Sequence, residues 1–259
     1  MNHFDPTKQI TDNLLALSSN SDLRKLSKQW LYESIRCNYL YNFSWLGIPI
    51  IQLPQDMYAV QELIWKVKPD LIIETGVAHG GSLFLSSTLL RMLDLSDCVS
   101  SNQLYDPSCP KRKVIGIDIE FREHNLRAIE THPLSSNIHL IKGSSIDQEV
   151  VDEIFAKVQG AKNVLIILDS RHTSEHVKQE LKMYSPFVSV GSYIIVMDTF
   201  VETLPNDTWR SNVEYSVGNG PMIACDEFLE GNSEFIVDST IENKLQLTSS
   251  PSGFLLRVK

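Results

Sequence analysis

The sequence predicts an α/β fold built on a mostly parallel β-sheet. From Leu71 onward, short β-branched apolar runs alternate with longer amphipathic runs, which is the pattern of βαβ units. Two of the short runs, residues 164–168 and 193–197, are apolar at every position, as parallel strands buried on both faces should be. These two runs are therefore predicted to form the centre of the sheet.

The individual elements follow from the same alternation. Five strands are predicted, at residues 71–74, 114–118, 138–141, 164–169 and 193–198. Four segments between them have apolar residues at helical spacing, at residues 82–93, 122–131, 148–158 and 174–187. Residues 97–113 are rich in Ser, Pro, Cys and Asn, and are predicted to form an insertion loop before the second strand.

The two ends of the chain depart from this alternation. The C-terminal segments 235–237, 244–248 and 254–258 look strand-like, with a turn at 251–253. They predict an antiparallel hairpin at one edge of a seven-stranded sheet. The N-terminal part looks helical, most clearly at 21–36 and 55–68. We expect residues 1–67 to form a helical cap or an oligomer contact, residues 68–259 to form the main domain, and the protein to be a homo-oligomer.

Composition narrows the range of partners. The formal net charge of −9 argues against nucleic acid, because binding a polyanion without sequence preference needs a basic surface. The four cysteines have no CxxC spacing, so no zinc or dithiol site is indicated. No charged-then-apolar leader is present, and no apolar run approaches the ~20 residues of a membrane span. We therefore expect a cytoplasmic protein without a membrane span.

A glycine-rich turn follows the first predicted strand, in the stretch LIIETGVAHGGS at residues 71–82. Such turns at the carboxyl ends of parallel strands offer free backbone N–H groups to a ligand. The spacing here is GxxxGG, whereas dinucleotides are bound by GxGxxG. Glu74, at the strand end, would repel a pyrophosphate and attract an ammonium or a sulfonium. Together these features favour S-adenosylmethionine over a nicotinamide cofactor.

The next two strand ends supply further candidates for cofactor binding. Asp118 can accept hydrogen bonds from both ribose hydroxyls, and Ser144 lies in a small polar turn suited to an adenine edge. For each of these loops an ordinary turn with a helix cap remains an alternative.

Two aspartates terminate the two most apolar strands. A single βαβ unit brings Asp169 and Asp198 to the same edge of the sheet, where two like charges need a cation. A divalent ion such as Mg²⁺ binds a couple of carboxylates and keeps waters or substrate oxygens. Methyl transfer to a metal-bound hydroxyl would fit this arrangement. The alternative is that Asp169 caps the helix near Ser174 and that Asp198 opens a loop.

Two histidines lie close to these loops. His172 follows Asp169 by three residues, and its imidazole could accept a hydroxyl proton. A structural or solvated histidine is the alternative. His79, inside the glycine turn, is assigned a positional role.

The combined motifs resemble the cephalosporin-hydroxylase-type family of class I methyltransferases, over about residues 41–259. The matching stretches are DLIIETGVAHGGS (70–82), GIDI (116–119), DSRHT (169–173) and VMDT (196–199), with WLGIPI (45–50), QELI (61–64) and GNGP (218–221) beside them. Any one of these stretches alone would be weak, but their joint occurrence in this order is specific.

The resemblance implies a Rossmann-like class I methyltransferase fold and an S-adenosylmethionine-dependent O-methyltransferase. Members of the family act on sugar hydroxyls, so a sugar of a glycoconjugate or secondary metabolite is the expected acceptor. By the same resemblance, Asp169 and Asp198 are Mg²⁺ ligands and His172 is the base. The candidates for cofactor binding are Glu74, Gly76, Gly80, Ser82, Asp118, Ser144 and Asp169, and the catalytic candidates are His172 and Asp169.

This chain departs from the family pattern at two positions. Met197 stands where some relatives have a second acid, which leaves Thr199, Glu202 or water as the third metal ligand. Arg171 replaces a smaller polar residue and could alter the acceptor pocket. A nicotinamide-dependent oxidoreductase and a catalytically silent methyltransferase-like binding protein are the alternative functions. Residues 202–220 follow the proposed metal strand and are long enough to act as a lid.

Overall fold

The computed structural model describes residues 6–208 and 213–259, and within those residues it contains nine α-helices, five short 3₁₀ helices and nine strands. The strands are β1 (Phe43–Trp45), β2 (Ile48–Ile50), β3 (Leu71–Thr75), β4 (Lys113–Asp118), β5 (Ile138–Lys142), β6 (Val164–Leu168), β7 (Tyr193–Val196), β8 (Phe235–Val237) and β9 (Phe254–Arg257). The α-helices are α1 (Pro6–Ser19), α2 (Ser21–Arg36), α3 (Pro54–Val67), α4 (Gly81–Ser100), α5 (Glu123–Thr131), α6 (Gln148–Val158), α7 (Ser174–Tyr184), α8 (Pro221–Glu230) and α9 (Ser239–Leu245).

The main sheet has seven strands in the order β5-β4-β3-β6-β7-β9-β8. The five strands from β3 to β7 run parallel, whereas β9 pairs antiparallel with both β7 and β8. This arrangement confirms the predicted α/β fold, the C-terminal antiparallel pair and the central position of β6. Strands β1 and β2 form a separate two-stranded ribbon, which the sequence did not predict.

Side chains that alternate along the central strands fill two hydrophobic layers, one on each face of the sheet. In β3, Ile72 faces the layer that contains α3 and α4, and Ile73 faces the layer that contains α6, α7 and α8. Both side chains are fully buried. The sheet is therefore covered by helices on both faces, which leaves the carboxyl ends of its strands as the place for a ligand.

Helix termini follow local sequence signals. Asn20 caps α2 by accepting a hydrogen bond from the backbone N–H of Leu23 at 2.9 Å. Helix α3 begins at Pro54, whose fixed φ suits the first turn, and it ends at Lys68 in a left-handed conformation.

Three predicted boundaries were wrong. Residues 244–248, predicted as a strand, contain the end of a helix instead: α9 runs to Leu245, and Ile241 and Leu245 lie one helical turn apart and both pack on the core. The predicted insertion loop at 97–113 is shorter, since α4 continues to Ser100. The helix predicted at 174–187 ends at Tyr184 and continues as a short 3₁₀ turn.

The N-terminal part shares its hydrophobic core with the sheet. Ile48 and Ile50 of β2 and four residues of α3 belong to the same buried cluster as β3. The role of residues 1–67 as a cap or an oligomer contact stays a prediction. Among the residues that the structure describes, no helix is both long and apolar enough to cross a membrane.

Candidate active site

The loops after β3, β4, β6 and β7 leave the sheet at one edge. Thr75, at the end of β3, pairs with Ile117 of β4 and with Leu168 of β6. Leu168 pairs in turn with Val196, at the end of β7. Because these strands are parallel and end level with one another, the predicted site residues that follow them converge at this edge.

The glycine turn lies directly against the loop after β6. Gly76 has φ +84, and a Cβ at this residue would lie 2.0 Å from the carbonyl oxygen of Asp169. Only glycine can occupy this position, on grounds of both conformation and space. Gly80, with φ +92, directly precedes the first residue of α4. The turn therefore brings the backbone of residues 76–80 beside the acidic loop.

Asp118 binds the glycine turn from the neighbouring strand. Its Oδ2 accepts hydrogen bonds from the backbone N–H groups of Val77 at 2.8 Å and Ala78 at 3.2 Å. Its Oδ1 accepts one from the N–H of Glu120 at 3.1 Å. The carboxylate thus fixes the shape of the turn while still facing the cavities described below.

Glu74 lies beneath the glycine turn and not within a cavity. Its side chain is fully buried, Oε1 accepts a hydrogen bond from the hydroxyl of Ser82, and Oε2 has no partner among the described residues. Burial raises the pKa of Glu74 to about 8, so its neutral form is favoured at pH 7. Glu74 lines neither of the two cavities described below, so its carboxyl group is not placed to attract a cofactor directly.

The first cavity, of about 460 Å³, lies beyond Gly76 toward β4 and β5. Its walls combine apolar side chains with small polar groups, as a nucleoside site requires. They are formed by Ile117, Asp118, Ile119, Gly143, Ser144, Ser145, Ile146, Ser170, Arg171, His172, Thr173, His176, Val213, Glu214 and Tyr215, in addition to Gly76. Asp118 and Ser144, predicted to bind ribose and adenine, both line it.

The second cavity, of about 270 Å³, adjoins the first through shared residues such as Gly76, Asp118 and His172. Gly80 and Ser82 line it at the start of α4, and Asp169 and Asp198 line it at the tips of β6 and β7. Its remaining walls come from Tyr41, residues 49–52, residues 77–81, Ser170 and Tyr215. Every predicted site residue except Glu74 therefore lines one or both cavities.

Asp169, His172 and Asp198 form a cluster suited to a metal ion. One donor atom from each residue lies within 4.8 Å of the other two. His172 Nε2 is 3.3 Å from Asp198 Oδ2. Two carboxylates and an imidazole at this separation match the donor chemistry of a divalent cation. The sequence analysis assigned His172 only as a base, and the structure also places it among the possible ligands.

The charges in this cluster are incompletely balanced. Burial, followed by the charges of Asp198 and Glu74, raises the pKa of Asp169 well above its usual range. Burial also raises the pKa of Asp198, and the neighbouring His172 opposes this shift. Two carboxylates in such surroundings favour a shared proton or a bound cation.

The alternative assignment had Asp169 capping α7 and Asp198 opening a loop. Thr173, not Asp169, occupies the N-cap position of α7, and its side chain makes no capping hydrogen bond. Asp198 does open a loop, since it directly precedes the 3₁₀ turn Thr199–Thr203. Asp198 has φ +57, a left-handed conformation that is uncommon outside glycine. This strained backbone turns the chain sharply after β7 and presents the carboxylate to the second cavity.

The two protein residues predicted as a third ligand lie elsewhere. The hydroxyl of Thr199 donates to the carbonyl of Pro251 at 2.5 Å, and Thr199 is fully buried. Glu202 Oε2 accepts from the N–H of Gly218 at 2.8 Å. The remaining third-ligand candidates are water, which was predicted, and His172, which was not.

A buried aspartate braces the loop after β7. Asp56 of α3 accepts hydrogen bonds from the N–H and the hydroxyl of Ser249, both at 2.8 Å, and from the hydroxyl of Thr248. The carbonyl of Ser249 accepts from the N–H of Phe200 at 3.1 Å. Burial raises the pKa of Asp56 to about 6. Sequence patterns did not reveal this residue, because it lies in a helix that precedes β3 and not in a loop at the carboxyl end of a strand.

Part of the predicted lid covers the first cavity. Glu214 forms an ion pair with Arg171, and the ring of Tyr215 contacts His172 edge-on, with centroids 5.5 Å apart. Residues 209–212 of the predicted lid lie outside the described residues. Arg171, noted as a departure from the family pattern, therefore contacts the loop that overlies the site.

Comparison with solved structures identifies the fold. A solved CmcI structure with Mg and SAM has a TM-score of 0.53 and 18% identity, over 85% of this chain and 78% of that one. A solved TDP-rhamnose 3'-O-methyltransferase of calicheamicin biosynthesis has a TM-score of 0.50 and 16% identity, over 98% and 96% of the two chains. At these identities the likeness concerns the fold, which is that of a class I methyltransferase.

Sequence comparison identifies the family. The family model described as Rhamnosyl O-methyltransferase/CmcI matches residues 37–258. The Rhamnosyl O-methyltransferase of Mycobacterium bovis is 28% identical over 220 residues, which cover 83% of this chain and 78% of that protein. The chain belongs to the Rhamnosyl O-methyltransferase/CmcI family. The predicted resemblance and the predicted class, an S-adenosylmethionine-dependent O-methyltransferase, are confirmed, and the nicotinamide-dependent alternative is not supported.

Proposed function

We propose that this chain transfers the methyl group of S-adenosylmethionine to a hydroxyl of a sugar, with Mg²⁺ held by Asp169 and Asp198. The observation that carries the proposal is the Asp169–His172–Asp198 cluster, which lines the same cavity as the glycine turn. A methyl donor and an acceptor hydroxyl could meet there. The Mg and SAM of the CmcI structure and the rhamnosyl substrates named for relatives support the choice of cofactors and acceptor.

The cofactor would extend across both cavities. In the first cavity, Asp118 would bind the ribose hydroxyls and Ser144 would face the adenine. In the second, Gly76, Gly80 and Ser82 would surround the amino-acid end, and Asp169 would lie near the reacting centre. We retain Glu74 in this set in a changed role: through Ser82 it fixes the start of α4 from below.

The residues present fit a magnesium site. Asp169 and Asp198 are oxygen donors raised in pKa by burial, and a divalent cation would allow both to be ionised. When bound, Mg²⁺ would lower the pKa of the acceptor hydroxyl, and S-adenosylmethionine would supply the methyl group.

His172 would act as the general base. Its Nε2 lies 3.3 Å from Asp198 Oδ2, close enough for the carboxylate to stabilise the protonated imidazole. The edge-on contact with Tyr215 restricts the orientation of the ring. Tyr215 and the Arg171–Glu214 pair would help to exclude water from the cavity.

The proposed function is tested by coupled measurements of binding and turnover. Calorimetric titration of the purified protein with S-adenosylhomocysteine should show binding. Incubation with S-adenosylmethionine, Mg²⁺ and a rhamnoside, either TDP-rhamnose or p-nitrophenyl α-L-rhamnoside, should give a product heavier by one methyl in mass spectrometry. EDTA should abolish this product, and added Mg²⁺ should restore it.

Each outcome of these measurements bears on a different part of the proposal. Failure to bind S-adenosylhomocysteine would overturn the whole assignment. Binding without methylation of either rhamnoside would remove the rhamnosyl acceptor and favour the catalytically silent alternative. Methylation that persists in EDTA would remove the role of the metal and leave the methyl transfer in place.

A further inference from the structure

Gln52 has a polar atom that the protein leaves without a partner. The residue lies two positions after β2, is only 3% exposed and lines the second cavity. Its side-chain Oε1 is buried and accepts no hydrogen bond from any described residue. A buried carbonyl without a donor is costly, so native proteins pair such groups with protein, water or a ligand. The position of Gln52 at the cavity wall points to a ligand.

The local packing indicates which part of a ligand lies there. A Cβ at Gly81, the first residue of α4, would lie 2.3 Å from the carbonyl oxygen of Pro49. Strand β2 is therefore pressed against the start of α4, and Gln52 follows two residues after that strand. The residues that line the cavity thus include the N-terminal end of a long helix, which favours an anion, and Gln52, whose buried amide oxygen lacks an N–H or O–H donor.

An α-amino acid group carries both kinds of charge on neighbouring atoms. Its carboxylate suits the free N–H groups at the start of α4, and its ammonium suits the carbonyl oxygen of Gln52. Besides Gln52, the metal cluster and Asp118, five of the described residues that line this cavity have polar side-chain atoms. They are Ser82, Ser170, His79, Tyr41 and Tyr215. Ser170 already donates to Glu180 at 2.7 Å, and Ser82 donates to Glu74.

We infer that Gln52 is a cofactor-binding residue, whose side-chain oxygen accepts a hydrogen bond from the ammonium group of the methionine part of S-adenosylmethionine. This inference rests on the proposed function, because it presumes that the second cavity holds that end of the cofactor. It adds a residue that no motif in the sequence indicated. It also accounts for the presence of a glutamine between Ile51 and Leu53 in a buried segment.

A pair of ligands tests the inference directly. S-adenosylhomocysteine has the amino-acid end, whereas 5′-methylthioadenosine lacks it and keeps the nucleoside. Dissociation constants for both are measured by calorimetry on the wild type and on Gln52→Met, which keeps the volume and removes the polar atoms. We expect at least about tenfold weaker binding of S-adenosylhomocysteine and less than twofold change for 5′-methylthioadenosine, because a hydrogen bond to a charged group is lost.

The chain offers a matched control three residues away. Gln55 also has a side-chain Oε1 without a partner among the described residues, but it lines neither cavity. Gln55→Met should leave both dissociation constants within twofold of the wild type. If Gln52→Met does not fold, Gln52→Asn, which withdraws the amide by one methylene, should weaken S-adenosylhomocysteine binding in the same selective way.

The outcomes separate this inference from the proposed function. A wild type that does not bind S-adenosylhomocysteine would overturn both. A wild type that binds it, with an unchanged constant in the folded Gln52 variant, would overturn only the role of Gln52. Equal weakening of both ligands would also overturn it, because the effect would then come from a distorted cavity. A selective loss for an acceptor sugar, without loss for S-adenosylhomocysteine, would assign Gln52 to the acceptor instead.

Discussion

The two cavities differ in how far the protein satisfies its own charges. In the first, the carboxylate of Asp118 accepts three hydrogen bonds from backbone N–H groups. In the second, Asp198 has only His172 as a close partner, and the carboxylate of Asp169 has no recorded donor among the described residues. The carboxylate proposed to bind the nucleoside is thus already held by hydrogen bonds, whereas the charges of the acidic cluster would be balanced only by a bound cation.

The largest effect should come from removing a charge on the acidic side. Asp198→Asn keeps the left-handed backbone, which Asn tolerates, and removes a proposed metal ligand. Turnover should fall about 10³-fold, on the order of 4 kcal/mol of transition-state stabilisation, as measured by initial rates of S-adenosylhomocysteine formation. Binding of S-adenosylhomocysteine should change by less than about threefold.

The control for this variant is Asp152→Asn, an exposed aspartate on α6 that bonds Gln148. Its turnover should equal that of the wild type. If Asp198→Asn also turns over at the wild-type rate, the contrast between the two cavities does not reflect a catalytic cation.

On the preformed side, loss of Asp118 should act on cofactor affinity. Asp118→Ala leaves the N–H groups of Val77 and Ala78 without their acceptor and removes the proposed ribose contact. Because each lost bond to a charged group costs about 1.5–3 kcal/mol, S-adenosylhomocysteine should bind roughly ten- to a hundredfold more weakly by calorimetry. Asp118→Asn, which keeps one acceptor oxygen, should lose less. Unchanged affinity in both variants would show that this side is not the nucleoside site.

The pH dependence of stability tests whether Glu74 is protonated in the folded protein. Its folded pKa of about 8 lies above the usual value of 4.5, so the folded state holds the proton more tightly than the unfolded state. The free energy of unfolding should therefore fall as pH rises from 4.5 to about 8, by roughly 1 kcal/mol per pH unit.

Glu74→Gln should remove that component of the pH dependence. Denaturant unfolding of the wild type and Glu74→Gln at several pH values between 5 and 8 measures the difference. Since Gln resembles the neutral acid, S-adenosylhomocysteine affinity at pH 7 should change by less than about threefold. A large loss of affinity would instead restore the direct electrostatic role that the sequence analysis gave to Glu74.

The smallest effect should come from the exposed ion pair over the first cavity. Arg171→Ala breaks the contact with Glu214, and pairs in solvent contribute only about 0–1 kcal/mol. The KM for S-adenosylmethionine should rise by no more than about fivefold, with kcat little changed. A collapse of kcat would mean that the loop over the site positions reacting groups as well as covering them.

The convergence of the predicted site residues followed from the sequence because strand order determines which residues meet. The parallel strands had to bring Gly76, Asp118, Asp169 and Asp198 to one edge, and the motifs specified the residue types there. The direction in which the Glu74 side chain points was harder to predict. In β3 it shares the face of Ile72, under α4, so the alternation of the strand directs it into the protein and away from the ligand.

Other features had no local signal. Gln52 lies between two apolar residues, and its unpaired oxygen is visible only once the cavity is known. Asp56 acts through Ser249, 193 residues away. The strand predicted at 244–248 was wrong because Ile241 and Leu245, one helical turn apart, both pack on the core.

The close contact between Gly76 and the backbone of Asp169 makes some parts of the site less tolerant of substitution than others. With no room for even a methyl group between these two loops, neither can shift without displacing the other. Redesign of the site for new acceptors should therefore substitute residues outside these two loops. Tyr41 is the natural starting point, because it is largely exposed, lines the second cavity and does not line the first.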